Sequence, residues 1–447
     1  MQLLDQIDAL DNFPAPLPQT LLAVKQTFDA PRVPDVAAAA RAALEQGELL
    51  ARIQPGASVA VGVGSRGIAN IALITRAVIQ RLREAGAEPF VFPAMGSHGG
   101  ATAEGQREML AGFGVTPEYI GAEVRATMEV VQVGQIEGGP PLFQDIYAAA
   151  ADAVLLLGRV KPHTDFRSNI ESGQAKMALI GMGKQHGAAI MHKLGVPGFQ
   201  KYLAPAARIY ERDTNLIGGL AILENAYDET AAIIGMPASE IGGPPEEELL
   251  KRAKSLMASL PFPEIDVLVV RQLGKNISGT GMDTNIIGRL MIPRQPENFG
   301  GPDIAVIALL DLTKETHGNA TGMGLANVTT RRVVEQIDWI ATYTNGLTSG
   351  VFGMQRSHMP TTMSNDRRAI EVAVRGCGEV QETARYVFIR DTLTLNHFWV
   401  SPSMRAAVEA HPRLELIDEV PLEFDARGNM TSPWDMEAPQ ERAVGAH

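Results

Sequence analysis

Two histidines stand just past short apolar runs: EPFVFPAMG ends before Ser97-His98, and DAVLLLGRV ends before Lys161-Pro162-His163. Imidazole titrates near neutrality, so a facing pair can take and deliver a proton on opposite sides of one carbon or its hydroxyl. Arg66, after SVAVGVG, and Gln272 and Lys275, in and after DVLVVRQLG, are groups suited to a carboxylate. Arginine offers a bidentate fork and lysine a point charge. The stretch ESGQAKMALIGMGKQHGAAIMH then places Lys176, Lys184, His186 and His192 among glycines, alanines and methionines, with Glu171 as the one counter-charge. Neutral imidazole is a common metal ligand, but one histidine does not hold a metal alone, so His192 would need donors brought by another group.

Each residue also has an ordinary role. His98 in GSHGG suits a turn or helix cap, Arg66 a surface ion pair, and Lys176, Lys184 and His186 a solvated face. GVGSRG lacks both the G-x-G-x-x-G spacing and the P-loop lysine, so it is a weak nucleotide fingerprint. The convergence of two histidines, an arginine and lysines on successive run ends favours chemistry over these separate readings.

The elements that must position them follow from periodicity. Residues 58–64, 88–96, 152–160, 266–274, 303–312 and 384–393 are aliphatic runs ending in glycine or polar turns, as buried parallel strands do. Residues 70–86 and 102–114 carry apolar side chains at helical spacing and finish at glycine. Their alternation predicts an α/β fold, in which ligands sit beyond the carboxyl ends of the strands. A chain of 447 residues exceeds one ordinary core. Prolines in SLPFPEID, after the charged helix 246–259, place a boundary between an N-terminal α/β domain over 1–262 and a C-terminal α/β domain over 263–447. The active-site cleft is expected between them, and the tail 427–447 is expected as a late helix or end segment that packs back on the first domain.

The net charge of −12 argues against nucleic-acid or anionic-membrane partners, which need a basic surface. Cys377 is the only cysteine, so neither an intrachain disulfide nor a thiolate cluster can form. The acidic N-terminus MQLLDQIDALDNF is unlike a secretory signal, and no apolar run has membrane-span length, so a cytoplasmic location is expected.

The order Arg66, A-M-G-S-His98, K-P-His163, S-G-Q-A-Lys176, His192 and Gln272-L-G-Lys275 resembles the nickel-dependent lactate racemase family and its 2-hydroxyacid racemase and epimerase relatives, over about residues 56–290. The resemblance implies an isomerase with a covalently tethered nickel-pincer nucleotide. Lys176 would carry the cofactor through a thioamide, and His192 would be the protein's nickel ligand. His98 and His163 would be the acid/base pair, and Arg66, Gln272 and Lys275 the substrate groups. Partners would be a small 2-hydroxyacid and the cofactor-biosynthesis enzymes. The implied reaction removes hydride from the substrate carbon and returns it to the other face. Val63 and Ser65 stand where the family carries Asp and Thr, and Gln174 where it carries Gly. The longer His163–Lys176 interval adds Arg167, Asn169 and Glu171, which favours an acid larger or more polar than lactate.

Two other functions fit the same residues: a metal-assisted lyase or hydrolase using His98, His163 and His317, and a non-catalytic cofactor-binding protein. Asp283, Asn285 and His317, on the glycine-rich loops GTGMDTNIIGR and ETHGNATGMG, are as suited to turns as to substrate contact.

Overall fold

The structure, a computed structural model, describes residues 6–7, 12–65, 67–297, 300–380 and 382–434. It forms two compact units. The described parts of Met1–Phe28 and Ala258–Arg442 make unit one, and Asp29–Met257 makes unit two. The change of unit at Ala258 lies close to the proline-marked boundary. The N-terminal residues, however, belong with the C-terminal half: strand β1 (Thr20–Gln26) pairs antiparallel with two strands from the far end of the chain, Leu22 opposite Val400 and Glu419.

Unit two is built on strands β2 (Ser58–Val63), β3 (Glu88–Pro93), the hairpin β4 (Val130–Gln135) and β5 (Pro141–Asp145), β6 (Ala153–Arg159), β7 (Leu216–Glu224) and β8 (Thr230–Pro237). The main sheet runs β3-β2-β6-β7-β8, parallel except for β8. Helices α1 (Val36–Gln46), α2 (Ile71–Glu84) and α3 (Ala103–Gly112) contribute to a core with Val59, Val61, Val63, Leu155 and Leu157. In α2, Ile71, Ile74, Val78, Ile79 and Leu82 are buried at helical spacing while Arg81 and Arg83 occupy the last turn, where cations complement the helix dipole. At about 25 cal/mol per Å2, each fully buried aliphatic side chain of such a stripe contributes about 1.5–3 kcal/mol.

After β6 the chain runs through a loop into α4 (Gln174–Lys176), a π turn over Met177–Gly181, then α5 (Lys184–Lys193), α6 (Gly195–Asp213) and, after β8, α7 (Pro244–Leu256). Unit one continues with β9 (Glu264–Leu273), β10 (Asp303–Leu312), β11 (Val328–Thr330), β12 (Thr361–Met363), helix α8 (Asp366–Gly376), β13 (Tyr386–Ile389), β14 (His397–Val400) and β15 (Leu414–Pro421). Its eight strands are ordered β12-β11-β10-β9-β13-β14-β1-β15. The four from β12 to β9 are parallel, as is β9 with β13, and the far edge is antiparallel. The architecture is α/β, as the alternating pattern predicts. The tail gives a short strand, Met430–Ser432, paired with Glu423–Phe424 rather than a helix, and Trp434 packs edge-on against Trp399 within unit one. The rest of that tail, 435–447, lies outside the described residues. Among the described residues no helix is long and apolar enough to cross a membrane.

Candidate active site

The carboxyl ends of β3, β2 and β6 lie side by side, with Val63 of β2 in register with Pro93 on one flank and Leu157 on the other. His98 follows β3 and His163 follows β6, so they leave the same sheet edge about 10 Å apart at strand level, two strand spacings. Arg66, after β2, lies outside the described residues. Gln272 and Lys275 belong to unit one, at the end of β9. Gln272 donates its backbone N–H to Arg390 O (2.9 Å), and Lys275 Nζ donates to Gly279 O (2.8 Å). Asp283 caps a short turn through Asn285 N–H (2.9 Å), and His317 adopts the left-handed conformation after a 3-10 turn. These are the turn roles the glycine-rich loops suggest.

Lys176 and His163 meet directly: Lys176 Nζ lies 2.5 Å from His163 Nε2. The other ring nitrogen, Nδ1, accepts the Asp165 backbone N–H at 3.0 Å and is 3.7 Å from the Asp165 carboxylate. The His163 ring stacks on Phe166 with centroids 4.4 Å apart, Phe166 stacks on Phe199 at 5.4 Å, and Phe199 meets the His192 ring edge-on at 5.4 Å. Two histidines from different elements thus share one aromatic stack. The His192 imidazole is held below its ordinary pKa, first by desolvation and second by the Lys176 charge, with Asp165 opposing. His192 does not turn fully inward as its helix suggests; the residue is exposed. Water therefore softens the desolvation, and the nearby Lys176 charge keeps its place as a cause.

The loop carrying His163 is fastened by a carboxylate. The Glu171 side chain is fully buried and accepts the His163 N–H (2.8 Å), the Ser168 N–H (3.3 Å) and the Lys254 ammonium (2.6 Å). Arg167 donates to the carbonyls of His163 and Phe166 and stands 3.8 Å from Glu171. Two of the three polar residues of the longer interval, Arg167 and Glu171, therefore hold the loop. Asn169 is exposed, and with Arg167, Ser168, Gln200 and Glu247 it lines a cavity of about 430 Å3 beside the loop.

Lys176 is placed by a one-turn helix with a borrowed cap. Gly173, at φ +145°, reaches a conformation closed to other residues, and its missing side chain leaves room for the Glu246 carboxylate. Glu246 accepts the N–H groups of Ala175 (3.2 Å) and Gly242 (2.7 Å), satisfying the helix N-terminus from α7. Its own pKa is raised, by burial first, with the backbone donors opposing. Gln174 is fully buried and donates to Leu220 O of β7 at 2.7 Å, pinning the helix to the sheet. Met177 covers Gly158 of β6, where any Cβ would overlap its sulfur. The π turn then passes Gly96, whose N–H donates to Gly181 O at 3.2 Å. One segment thereby spans from the His163 loop to the His98 loop.

Lys184, expected on a solvated turn, is instead completely buried. Its Nζ is 2.9 Å from the buried Asp145 carboxylate and donates to Pro93 O (2.5 Å) and Gln106 Oε1 (3.2 Å). Gln106 in turn donates to the carbonyls of Gly96 (2.9 Å) and His98 (3.2 Å). The lysine is a strut behind the His98 loop, because a buried cation is tolerated only where its donors are spent. His186 is exposed and packs edge-on against Phe143, centroids 4.5 Å apart.

Glu171, Glu246, Lys254, Asp165 and Gln106 were not legible as site residues. Only Glu171 carried a signal, as the single acid in a basic segment. Glu246 and Lys254 sit on a helix whose charges suit a solvated face equally well. Among the described residues no three His, Cys, Asp or Glu side chains are grouped to hold a metal ion, so a metal at His192 needs donors that a bound group supplies. No family model and no curated protein matches the sequence.

Proposed function

We propose that this chain is a racemase or epimerase of a 2-hydroxyacid, an isomerase that works with a nickel-pincer nucleotide carried on Lys176. The observation that supports it best is the placement of the Lys176 amine against the His163 imidazole, with His192 close enough to sense the lysine's charge. A tethering lysine, one imidazole ligand and an acid/base histidine are the three protein groups such a cofactor requires. They fit it: the protein offers a lone imidazole ligand and a half-buried amine, and the group brings the remaining donors. When bound, it supplies a hydride acceptor.

The chain's own residues do the rest. His163, oriented by Asp165 and by its stack on Phe166, takes the substrate hydroxyl proton on one side, and His98 serves the opposite side. Cofactor-biosynthesis enzymes would be the partners that load Lys176. The aromatic stack and the buried Glu171 keep the His163 ring fixed, so little reorganisation is needed at the moment of transfer. Asn169, the exposed polar residue of the longer His163–Lys176 interval, favours a substrate larger or more polar than lactate.

The test is to incubate protein produced together with cofactor-biosynthesis enzymes with a panel of single-enantiomer 2-hydroxyacids deuterated at C2. Chiral chromatography should show epimer formation with the deuterium retained. Loss of the label to solvent water would refute hydride transfer and point to proton abstraction at carbon. The absence of epimerisation in protein shown by mass to be loaded would refute the racemase reading.

A further inference from the structure

We infer that the helices Trp339–Thr348 and Val351–Arg356 of unit one present an apolar face on which a second copy of this chain docks, so that the protein is a twofold dimer in solution. The inference concerns the surface of one unit and stands whether or not the racemase reading holds.

The face is an exception on this molecule. Among the described residues fourteen large apolar side chains are exposed, and six of them fall within the twenty residues from 340 to 359: Ile340, Tyr343, Leu347, Val351, Met354 and Met359. Apolar residues exposed singly are ordinary, whereas a cluster marks a contact surface. Ile340 is 82% exposed and Leu347 67%. The spacing 340, 343, 347 keeps three of the side chains on one side of the first helix, and 351 and 354 repeat it on the second.

The opposite side of the helix pair is spent on unit one itself. Thr342 is fully buried; its hydroxyl accepts the Ala320 N–H at 3.0 Å, and its carbonyl accepts the Thr321 hydroxyl at 3.0 Å. Arg356 is buried as well and donates to Leu290 O through Nε (3.2 Å) and Nη2 (3.0 Å). Gly346 and Gly353 bring the two helices into backbone contact, since a Cβ on Gly353 would overlap the Gly346 carbonyl. The helices cannot roll to hide their apolar side chains without breaking these bonds, and leaving such buried groups unpaired is costly.

Charge selects the occupant. From 339 to 359 the only Lys, Arg, Asp or Glu is Arg356, which is buried, in a chain whose net charge is −12. A face without charge has nothing with which to select an oppositely charged protein, and a membrane-surface helix carries lysines and arginines beside its apolar face. Laid on its own copy by a twofold axis, the same face meets no like charge and matches apolar with apolar. The area agrees with this choice. At the exposures found, six side chains of this size leave on the order of 600 Å2 per copy, the upper end of what a monomer carries. Pairing two copies removes about 1,200 Å2 from water, the lower bound of a standard specific interface.

The experiment is sedimentation velocity on the full chain at about 50 µM, a concentration at which an interface of this size should be filled. The wild-type chain should sediment with twice the mass of one chain. Ile340→Glu combined with Leu347→Glu sets like charges against each other across the axis and should weaken the dimer about 100-fold or more, giving monomers with an unchanged circular dichroism spectrum. Val380→Glu and Ile417→Glu, at exposed apolar positions outside the face, should leave the dimer intact. If the double variant does not fold, Leu347→Ser decides, since it removes apolar contact without adding charge and should weaken the dimer about tenfold. A monomeric wild-type chain would overturn the inference. If that monomer floats with zwitterionic vesicles, a lipid surface takes the place of the second copy; if amides 339–359 are protected from hydrogen exchange in it, the rest of the chain does. A dimer indifferent to the substitutions in the face, or one dissociated equally by Val380→Glu or Ile417→Glu, would overturn it too. None of these outcomes touches the epimerisation test, so the two readings fail separately.

Discussion

Replacing Lys184 with methionine isolates the cost of a buried charge, because methionine keeps the length of the stem while removing the ammonium. In the native chain the Lys184 and Asp145 side chains are fully buried and 2.9 Å apart. Asp145 also accepts the N–H groups of Tyr147 (2.8 Å) and Ala148 (3.1 Å), so it cannot swing out to water without uncapping the short helix Ile146–Ala150. Removing one partner of such a pair costs about 3–5 kcal/mol. For a unit of this size, 1 kcal/mol moves the melting temperature by about 2–4 °C, so the transition of unit two should fall by roughly 6–20 °C in scanning calorimetry of the full chain. The pH dependence has a definite sign. Burial raises the Asp145 pKa, and the Lys184 charge opposes that rise; without Lys184 the folded value climbs further above the unfolded one. A raised carboxyl stabilises the fold at low pH, and that contribution is lost as pH rises through the folded value. The gap between wild type and Lys184→Met should therefore narrow on acidification from pH 7 towards 5. A melting temperature within 2 °C of wild type, or a gap that widens in acid, would refute the assignment of Lys184 as a buried ionic strut.

In cofactor-loaded protein, Lys176→Ala should lose both the covalent mass increment and stable nickel, whereas His192→Ala should keep the increment and weaken nickel; intact mass and metal content read the two separately. In unit one, Arg385 donates to Asp266 through its backbone N–H (2.6 Å) and its guanidinium (2.7 Å). Burial pushes the Asp266 carboxyl up, but the Arg385 hydrogen bonds outweigh it and hold the carboxyl below its usual range. Its stabilisation is present above about pH 3.9 and lost as pH falls through the lower folded value. Arg385→Leu should lower the unit-one transition at pH 7 and shrink its fall between pH 4 and 2, as followed by calorimetry.

The parallel strands β2, β3, β6, β9 and β10 were legible because each is buried on both faces and reads as an unbroken aliphatic run. Strands β1, β14 and β15 were not, since edge and antiparallel strands mix polar with apolar residues and resemble loops. LIGGLAILE of β7 escaped for another reason: its paired glycines, the second of which (Gly219) lets Gln174 and Leu156 approach the backbone, look like a turn. In the site, His98 and His163 were marked by their positions after strands, and Lys176 by its basic segment and its S-G-Q-A-K sequence. The groups that hold them were not, because Glu171, Glu246 and Lys184 act from a distance in sequence and nothing in a charged residue's type tells burial from exposure.

The pairing of Leu22 with Val400 has a consequence for how the protein is made. On the ribosome β1 emerges early, yet the strands on either side of it, β14 and β15, come among the last. Unit two is encoded without interruption and can fold while its neighbour is still being synthesised. β1 must meanwhile remain an unpaired apolar strand, exposed to chaperones and to other nascent chains. Pulse-labelled translation intermediates arrested before β14 should then show a protease-resistant unit two and a first segment that is readily cleaved.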